Sequence, residues 1–407
     1  MSTKLKTIVN ELECELERVL DYWSAHSIDF AHGGFVGEID RLGSVREQAS
    51  KGVVLNARIL WTYSAAYNHT QNSKYLDLAN KGYDYFIKYF WDSNYGGLIW
   101  KVDYLGNPKN KRKQAYAQGF GVYALSEYYK ASKDKDALLF AVKLYELIEE
   151  KFRDNVHGGY IEALDYDWSA LSDMRLSKKD VNEPKSMNTH LHIIESYTNL
   201  YKVWPDEKLK KNIKELLDLF LYKIINSETG HFNLFFDMEW NVKSSIVSYG
   251  HDIEGAWLLT DAARVFRDKQ LIEKIEKAAL NLADITLQSG VDEDGGLFNE
   301  KYEDHLDDDK HWWPQAEAMV GFMDAFSISG NEKYFTAILK SWDFIKTYII
   351  DNEYGEWHWR VNMEGVPQTT DYKVGFWKCP YHNSRALIET VQRLKRQNEP
   401  ISLLGEN

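Results

Sequence analysis

The chain has 407 residues, 44% of them apolar and 14% aromatic, enough to bury a large core and still leave some of its 14 Trp and 26 Tyr for a cleft. A formal net charge of -13 disfavours nucleic acid and anionic membranes as partners, because binding phosphates needs a basic face. Two cysteines, Cys14 and Cys379, are too few for a disulfide framework or a thiolate metal site, no apolar run has membrane length, and charges from Lys4 to Arg18 interrupt any signal-peptide core, so a cytoplasmic protein is expected.

The first segment places Leu5, Ile8, Val9, Leu12, Leu16, Val19, Leu20 and Trp23 on one helical stripe with charges elsewhere, which predicts an amphipathic surface helix. A turn, Gly33-Gly34-Phe35, precedes a stretch at 53 to 68 that is apolar or small nearly all round, and a helix without a polar face belongs inside. The same succession then repeats. Two-faced helices are predicted near 73 to 89, 134 to 151, 206 to 225, 269 to 287 and 332 to 349, and buried ones near 113 to 130, 187 to 203, 251 to 267, 313 to 328 and 381 to 395. Between each pair stands a turn: Gly96-Gly97-Leu98, Gly158-Gly159-Tyr160, Gly230-His231-Phe232, Gly295-Gly296-Leu297 and Gly355-Glu356-Trp357.

Successive turns are about 63, 62, 72, 65 and 60 residues apart, a period that marks one supersecondary unit copied six times. The N-terminal outer helix has no inner helix before it, and the last inner helix has no outer helix after it. Pairing them closes the ring. The expected fold is therefore an all-α (α/α)6 barrel, or toroid, of six inner and six outer helices with short β-hairpins at one end, built as a single domain over 1–407. Three connections are long, near 166 to 185, 301 to 311 and 363 to 379. The second carries Glu303, Asp304, Asp307, Asp308 and Asp309 without the glycine and spacing of a calcium loop, so it is expected to be a solvated lid over the pocket.

In such a ring the first turns of the inner helices converge on a central pocket. There stand Arg58, Tyr116, Asn188 with His192, His251 with Glu254, Trp312 and Trp313 with Glu317, and Trp377 followed by His382 and Arg385. Two histidines on different inner helices, His251 and His382, suit proton transfer near neutral pH, and Glu254, three residues on, shares a helix face with His251 and can orient it. Arg58 in an apolar helix needs a partner. Either it forms a buried pair, with Glu317 the candidate, or it stabilises an oxyanion in the pocket. His190 with His192, and His251 with Asp252 and Glu254, raise a metal site, but neighbours two apart diverge on a helix and no HExxH or CxxC is present, so neither metal nor cofactor is expected.

The stretches Lys51-Gly52-Val53-Val54-Leu55-Asn56-Ala57-Arg58-Ile59-Leu60-Trp61, Met187-Asn188-Thr189-His190-Leu191-His192, Ser248-Tyr249-Gly250-His251-Asp252-Ile253-Glu254, Trp312-Trp313-Pro314-Gln315-Ala316-Glu317 and Trp377-Lys378-Cys379-Pro380-Tyr381-His382-Asn383 resemble those of the cellobiose 2-epimerase family, within the N-acylglucosamine 2-epimerase superfamily. The resemblance spans nearly the whole chain. It implies an enzyme that inverts C2 of the reducing-end aldose of a β-1,4-linked disaccharide such as cellobiose, lactose or mannobiose, without metal or nucleotide. It makes His251 and His382 the acid/base pair. Arg58 and Asn188 would hold the sugar hydroxyls and the enediolate, with Tyr116 and His192 supporting that grip and Glu254 positioning its neighbour. Trp313 and Trp377 would stack on sugar faces, with Trp312 and Glu317 beside them in the substrate site. Pro314 departs from the cellobiose branch and resembles the N-acylglucosamine branch, so substrate choice is the more open point. A monomer or weak homodimer is expected. The rivals are an N-acylglucosamine 2-epimerase, an aldose-ketose isomerase, an inverting glycoside hydrolase using carboxylates among Asp252, Glu254 and Glu317, and a non-catalytic sugar-binding protein.

Overall fold

Asn or Asp starts five of the surface helices. Asn72, Asp134, Asp206, Asp268 and Asn331 each accept a backbone N–H of the following turn, which satisfies a donor the helix itself cannot. The computed structural model describes residues 3–397; the first two and last ten residues of the predicted 1–407 domain lie outside the described residues. Among the described residues the outer helices are α1 (Thr3–His26), α3 (Ser73–Phe90), α5 (Lys135–Lys151), α7 (Glu207–Leu219), α9 (Lys269–Ser289) and α11 (Glu332–Phe344). The inner helices are α2 (Val53–Thr70), α4 (Ala115–Ser132), α6 (Met187–Tyr201), α8 (Tyr249–Arg264), α10 (Trp312–Ser329) and α12 (Tyr381–Arg396). α7 and α11 each continue into a π-helical turn, Phe220–Ile224 and Ile345–Ile349. None of these helices is long and apolar enough to cross a membrane.

The inner helices pack in the order α2, α4, α6, α8, α10, α12 and back to α2, each carrying an outer helix on its far side, and α1 packs on α12. The (α/α)6 toroid is therefore closed by the two ends of the chain, as the unpaired terminal elements predicted. Glu356 joins those ends: it accepts from Trp23 Nε1 of α1 at 2.8 Å and from Asn383 Nδ2 of α12 at 3.0 Å, and Lys378 pairs with it. Glu356 stands where four of the other five repeats have the second glycine and adopts φ 59°, a left-handed conformation uncommon outside glycine.

The β-structure differs from simple hairpins within each unit. The short strand before each inner helix pairs with a strand of the next unit: Lys51–Gly52 with Lys101–Val102, Lys113–Gln114 with Ala163–Leu164, Lys185–Ser186 with Phe235–Phe236, Ile246–Ser248 with Glu300–Tyr302, and Lys310–His311 with Arg360–Val361. Tyr372–Val374 pairs back to Ile39–Asp40, so the sheets close the same circle. Strands this short are not stable alone, and pairing between units links neighbouring repeats. The acidic 301 to 311 connection is not the expected lid. Its first part folds back as His305–Asp307 on Glu300–Tyr302, extending that sheet.

A further periodic device escaped the sequence. In five of the six turns an aspartate accepts from a buried lysine that precedes the next inner helix: Lys51 to Asp29, Lys113 to Asp92 and Lys185 to Asp154 at 2.7 Å, Lys310 to Asp292 and Lys373 to Asp351 at 2.6 Å. Each lysine is at most 2% exposed, so removing its aspartate would leave an uncompensated buried charge. These clamps tie each glycine turn to the root of an inner helix.

Candidate active site

The clamped roots face a cavity of about 330 Å³ at the sheet end of the ring. Arg58 from α2, Tyr116 from α4, Asn188 and His192 from α6, His251 and Glu254 from α8, Trp312 and Trp313 from α10, and His382 from α12 all line it, together with Trp377 just before α12. Every residue expected there is present except Glu317 and Arg385, both fully buried, with Glu317 behind His382. Trp359 and the segment 176–180 also line the cavity, and sequence reasoning missed both. The first follows a glycine turn with strand-like alternation; the second belongs to the long 166 to 185 connection, which forms the cavity wall expected of 301 to 311. A second compartment of about 240 Å³ shares Asn188, His251 and Trp313 with the first and reaches Arg175, Glu300 and His311.

The two histidines are held by different partners. His251 Nδ1 is 2.8 Å from Ser248 Oγ, and His382 Nδ1 is 2.7 Å from Glu317 Oε1. The expected orienting role of Glu254 toward His251 is not seen: Glu254 Oε1 accepts from Arg385 Nη2 at 2.7 Å instead. Three residues on a helix put Glu254 on the correct face but deeper in the ring, where a stronger donor claims it. Burial pushes His251 and His382 down to about 3, with neighbouring His192 adding to the effect at His251 and the Glu317 hydrogen bond opposing it at His382. Both are neutral bases at neutral pH. Because Glu317 can only accept when ionised, His382 carries its proton on Nδ1 and leaves Nε2 free to take another. Trp313 lies beside both rings, its centroid 4.8 Å from His251 and 5.7 Å from His382.

Below this pair lies a buried charge network. Arg385, 0% exposed, donates 2.7 Å bonds to Glu254 and Glu317 and pairs with Glu195, which in turn sits 2.8 Å from His192 Nδ1. Burial raises the Glu254 carboxyl and the Glu317 charge adds to it; Glu317 itself is buried too, but Arg385 and His382 hold it low. A network of one guanidinium and three carboxyls is thus relieved by keeping one carboxyl protonated.

Arg58 does not pair with Glu317. Its Nη2 donates to Tyr116 OH at 2.7 Å, its guanidinium stacks 4.3 Å from the Phe120 ring centroid, and its Nε has no protein partner. Burial disfavours its charge, yet the surrounding phenols, Cys379 and Glu254 raise its affinity for the proton and keep it cationic. Asn188 Oδ1 is likewise buried without a partner. Unsatisfied polar atoms beside a cavity are costly unless a ligand meets them, and these two favour a polar, oxygen-rich one.

Two rival arrangements do not form. His190 accepts the Tyr160 N–H through Nε2 at 2.9 Å, and Asp252 accepts the Phe232 N–H at 2.9 Å, so both face the turns and away from a shared metal. Among the described residues Glu254, Glu317 and His382 do bring ligand atoms within 4.8 Å of one another, but the Arg385 cation already bridges the two carboxyls. The hydrolase candidates Asp252 and Glu317 do not line the cavity; the carboxyls that do are Glu254, held by Arg385, and Asp180, which accepts from Ser177 N–H at 2.7 Å and Ser177 Oγ at 3.0 Å.

Residues 33–386 match the family model of N-acylglucosamine 2-epimerase (GlcNAc 2-epimerase). The chain belongs to this family. It is 45% identical over 384 residues to the cellobiose 2-epimerase of Bacteroides fragilis, covering 94% of this chain and 98% of that one. Its structure resembles that of the cellobiose 2-epimerase from Bacillus thermoamylovorans with a TM-score of 0.92 at 40% identity, over 95% of this chain and 100% of that one. The chain is also similar to the D-mannose isomerase of Marinomonas mediterranea, 25% identical over 94% of this chain and 97% of that one.

Proposed function

We propose that this chain is a 2-epimerase of β-1,4-linked disaccharides, converting cellobiose to glucosyl-mannose by proton transfer at C2 of the reducing-end sugar. The observation that carries the mechanism is the pair of neutral imidazoles on separate inner helices, each fixed through Nδ1 by its own partner. Kinship with the cellobiose 2-epimerase of B. fragilis supports the disaccharide substrate. The second compartment, sharing Asn188, His251 and Trp313 with the first, supports room for a second sugar.

A C2 hydrogen is acidic only beside an open-chain aldehyde, so the ring oxygen must first gain a proton while the anomeric hydroxyl loses one. Imidazoles perform both transfers. The histidine that gave its proton to the ring oxygen then removes the C2 proton, Arg58 holds the enediolate charge with Asn188 on a neighbouring hydroxyl, and the other histidine returns to the opposite face the proton it took from the anomeric hydroxyl. Trp313 and Trp377 stack on the sugar, Tyr116 and His192 back Arg58 and Asn188, and Glu254 and Glu317 act from beneath. No step uses a metal, and activity is expected to survive dialysis against EDTA. The acidic, two-cysteine chain fits a cytoplasmic location.

Incubation with cellobiose, lactose or mannose in deuterated water, read by proton NMR, tests this. Epimerisation yields an intact disaccharide with altered C2 configuration; free monosaccharides, a ketose product or no change would each replace the proposal with one of its rivals. Full turnover by both His251→Ala and His382→Ala would remove the two-histidine mechanism.

A further inference from the structure

The six units share one plan, so each serves as a comparison for the others, and the fourth departs from it. At the two clamp positions it has Asn226 and Val247, neither of which carries a charge. This is the unit that carries His251.

A second contact also recurs: the fourth residue of an inner helix grips the N–H that follows the glycine turn. Gln118 Oε1 accepts from Leu98 N–H at 2.7 Å, His190 Nε2 from Tyr160 N–H at 2.9 Å, and Gln315 Oε1 from Leu297 N–H at 2.7 Å. In the fourth unit the gripping residue is Asp252. One oxygen accepts from Phe232 N–H at 2.9 Å, and the other lies 2.6 Å from His231 Nδ1. The contact that other units make from the strand before the helix here comes from within the first turn of the helix, one residue from His251.

That turn also lacks the side-chain cap of its counterpart in α6. Ser186 uses its hydroxyl to cap α6, accepting from Thr189 N–H at 3.1 Å, whereas Ser248 at the same place before α8 makes no cap and turns its hydroxyl to His251. Gly250 lies flat beneath Trp313, where a Cβ would come 2.5 Å from the indole, so a shift of the turn also moves that ring. A general base works only at a fixed distance from its proton.

We propose that His231 and Asp252 are positioning residues for the reaction, replacing the lysine clamp in the unit whose helix root carries His251. The inference rests on the epimerase reading. Asp252→Gln installs the neutral grip that α4 and α10 use, and His231→Gln removes the pair while keeping a polar side chain. Asp92→Asn, which breaks the second unit's clamp, is the comparison.

Thermal midpoints, kcat and KM for cellobiose, and the kinetic isotope effect with C2-deuterated cellobiose are measured for all three and for the native enzyme. All three variants are expected to melt at lower temperature. Only Asp252→Gln and His231→Gln are expected to lose about tenfold or more in kcat, with KM within about twofold and a larger isotope effect. Native kcat and isotope effect in both variants overturn the proposal, as does an equal kcat loss in Asp92→Asn at a temperature where all are folded. Absence of turnover by the native protein overturns the epimerase reading itself, and the proposal with it.

Discussion

A histidine that removes a proton from carbon must keep one nitrogen unprotonated and aimed, and for His382 that task falls to Glu317, 65 positions earlier in the chain. Glu317→Gln keeps the volume but replaces an obligate acceptor with an amide that can present a donor, and it withdraws one charge from Arg385. kcat for cellobiose epimerisation is expected to fall about a hundredfold with little change in KM, since the carboxylate acts through the histidine and not on the sugar. Steady-state kinetics on a variant with native circular dichroism check this. His251, His382 and Arg58 were legible because polar groups interrupt helices otherwise buried on all sides. Their partners were not. Spacing along a helix identified Glu254 as the neighbour of His251, but which hydroxyl or carboxylate reaches a ring depends on side chains arriving from other elements.

At the level of the helix, uniform burial of α2, α4, α6, α8 and α10 announced the inner ring, and the depth of approach between two of them rests on a glycine. A Cβ on Gly321 of α10 would lie 2.6 Å from the Ile253 carbonyl oxygen of α8. Alanine would favour the helix intrinsically by about 1 kcal/mol, but the oxygen belongs to the backbone and can yield only if α8 moves. Gly321→Ala is therefore expected to destabilise by about 1–3 kcal/mol, the usual range for overpacking, measured as a lower midpoint in urea denaturation with unchanged slope. The sequence marked Gly321 as one small residue among many, because helix periodicity reports a face and not an interhelical distance.

Across the whole molecule, the interior holds histidines that stay neutral. Burial lowers His190 to about 4 and His311 and His382 to about 3, each below the ordinary imidazole value of 6.5. The unfolded chain binds protons at these sites that the folded chain refuses, so stability is full above pH 6.5 and declines as pH falls toward 4, by up to about 1.4 kcal/mol per pH unit for each group. His251, lowered to about 3 by burial and by neighbouring His192, acts in the same direction. The aspartates of the five clamps are depressed instead and lose their contribution only below the normal carboxylate range. The thermal midpoint is thus expected to fall from near pH 6.5 downward, before any clamp protonates; a flat midpoint between pH 6.5 and 4.5 in a calorimetric series would contradict this assignment.

Period and polarity were written in the chain. The spacing of the glycine turns, the alternation of two-faced and fully apolar helices and the unpaired first and last elements specified six units and a closed ring, because each depends on residues a few positions apart. Tertiary structure alone decided which lysine meets which aspartate 18 to 31 residues away, that Arg385 gathers carboxyls from α6, α8 and α10, and that segment 176–180 walls the cavity in place of 301 to 311. Those pairings depend on how far each inner helix is rotated and advanced within the ring, a quantity fixed jointly by all six and carried by no single stretch of sequence.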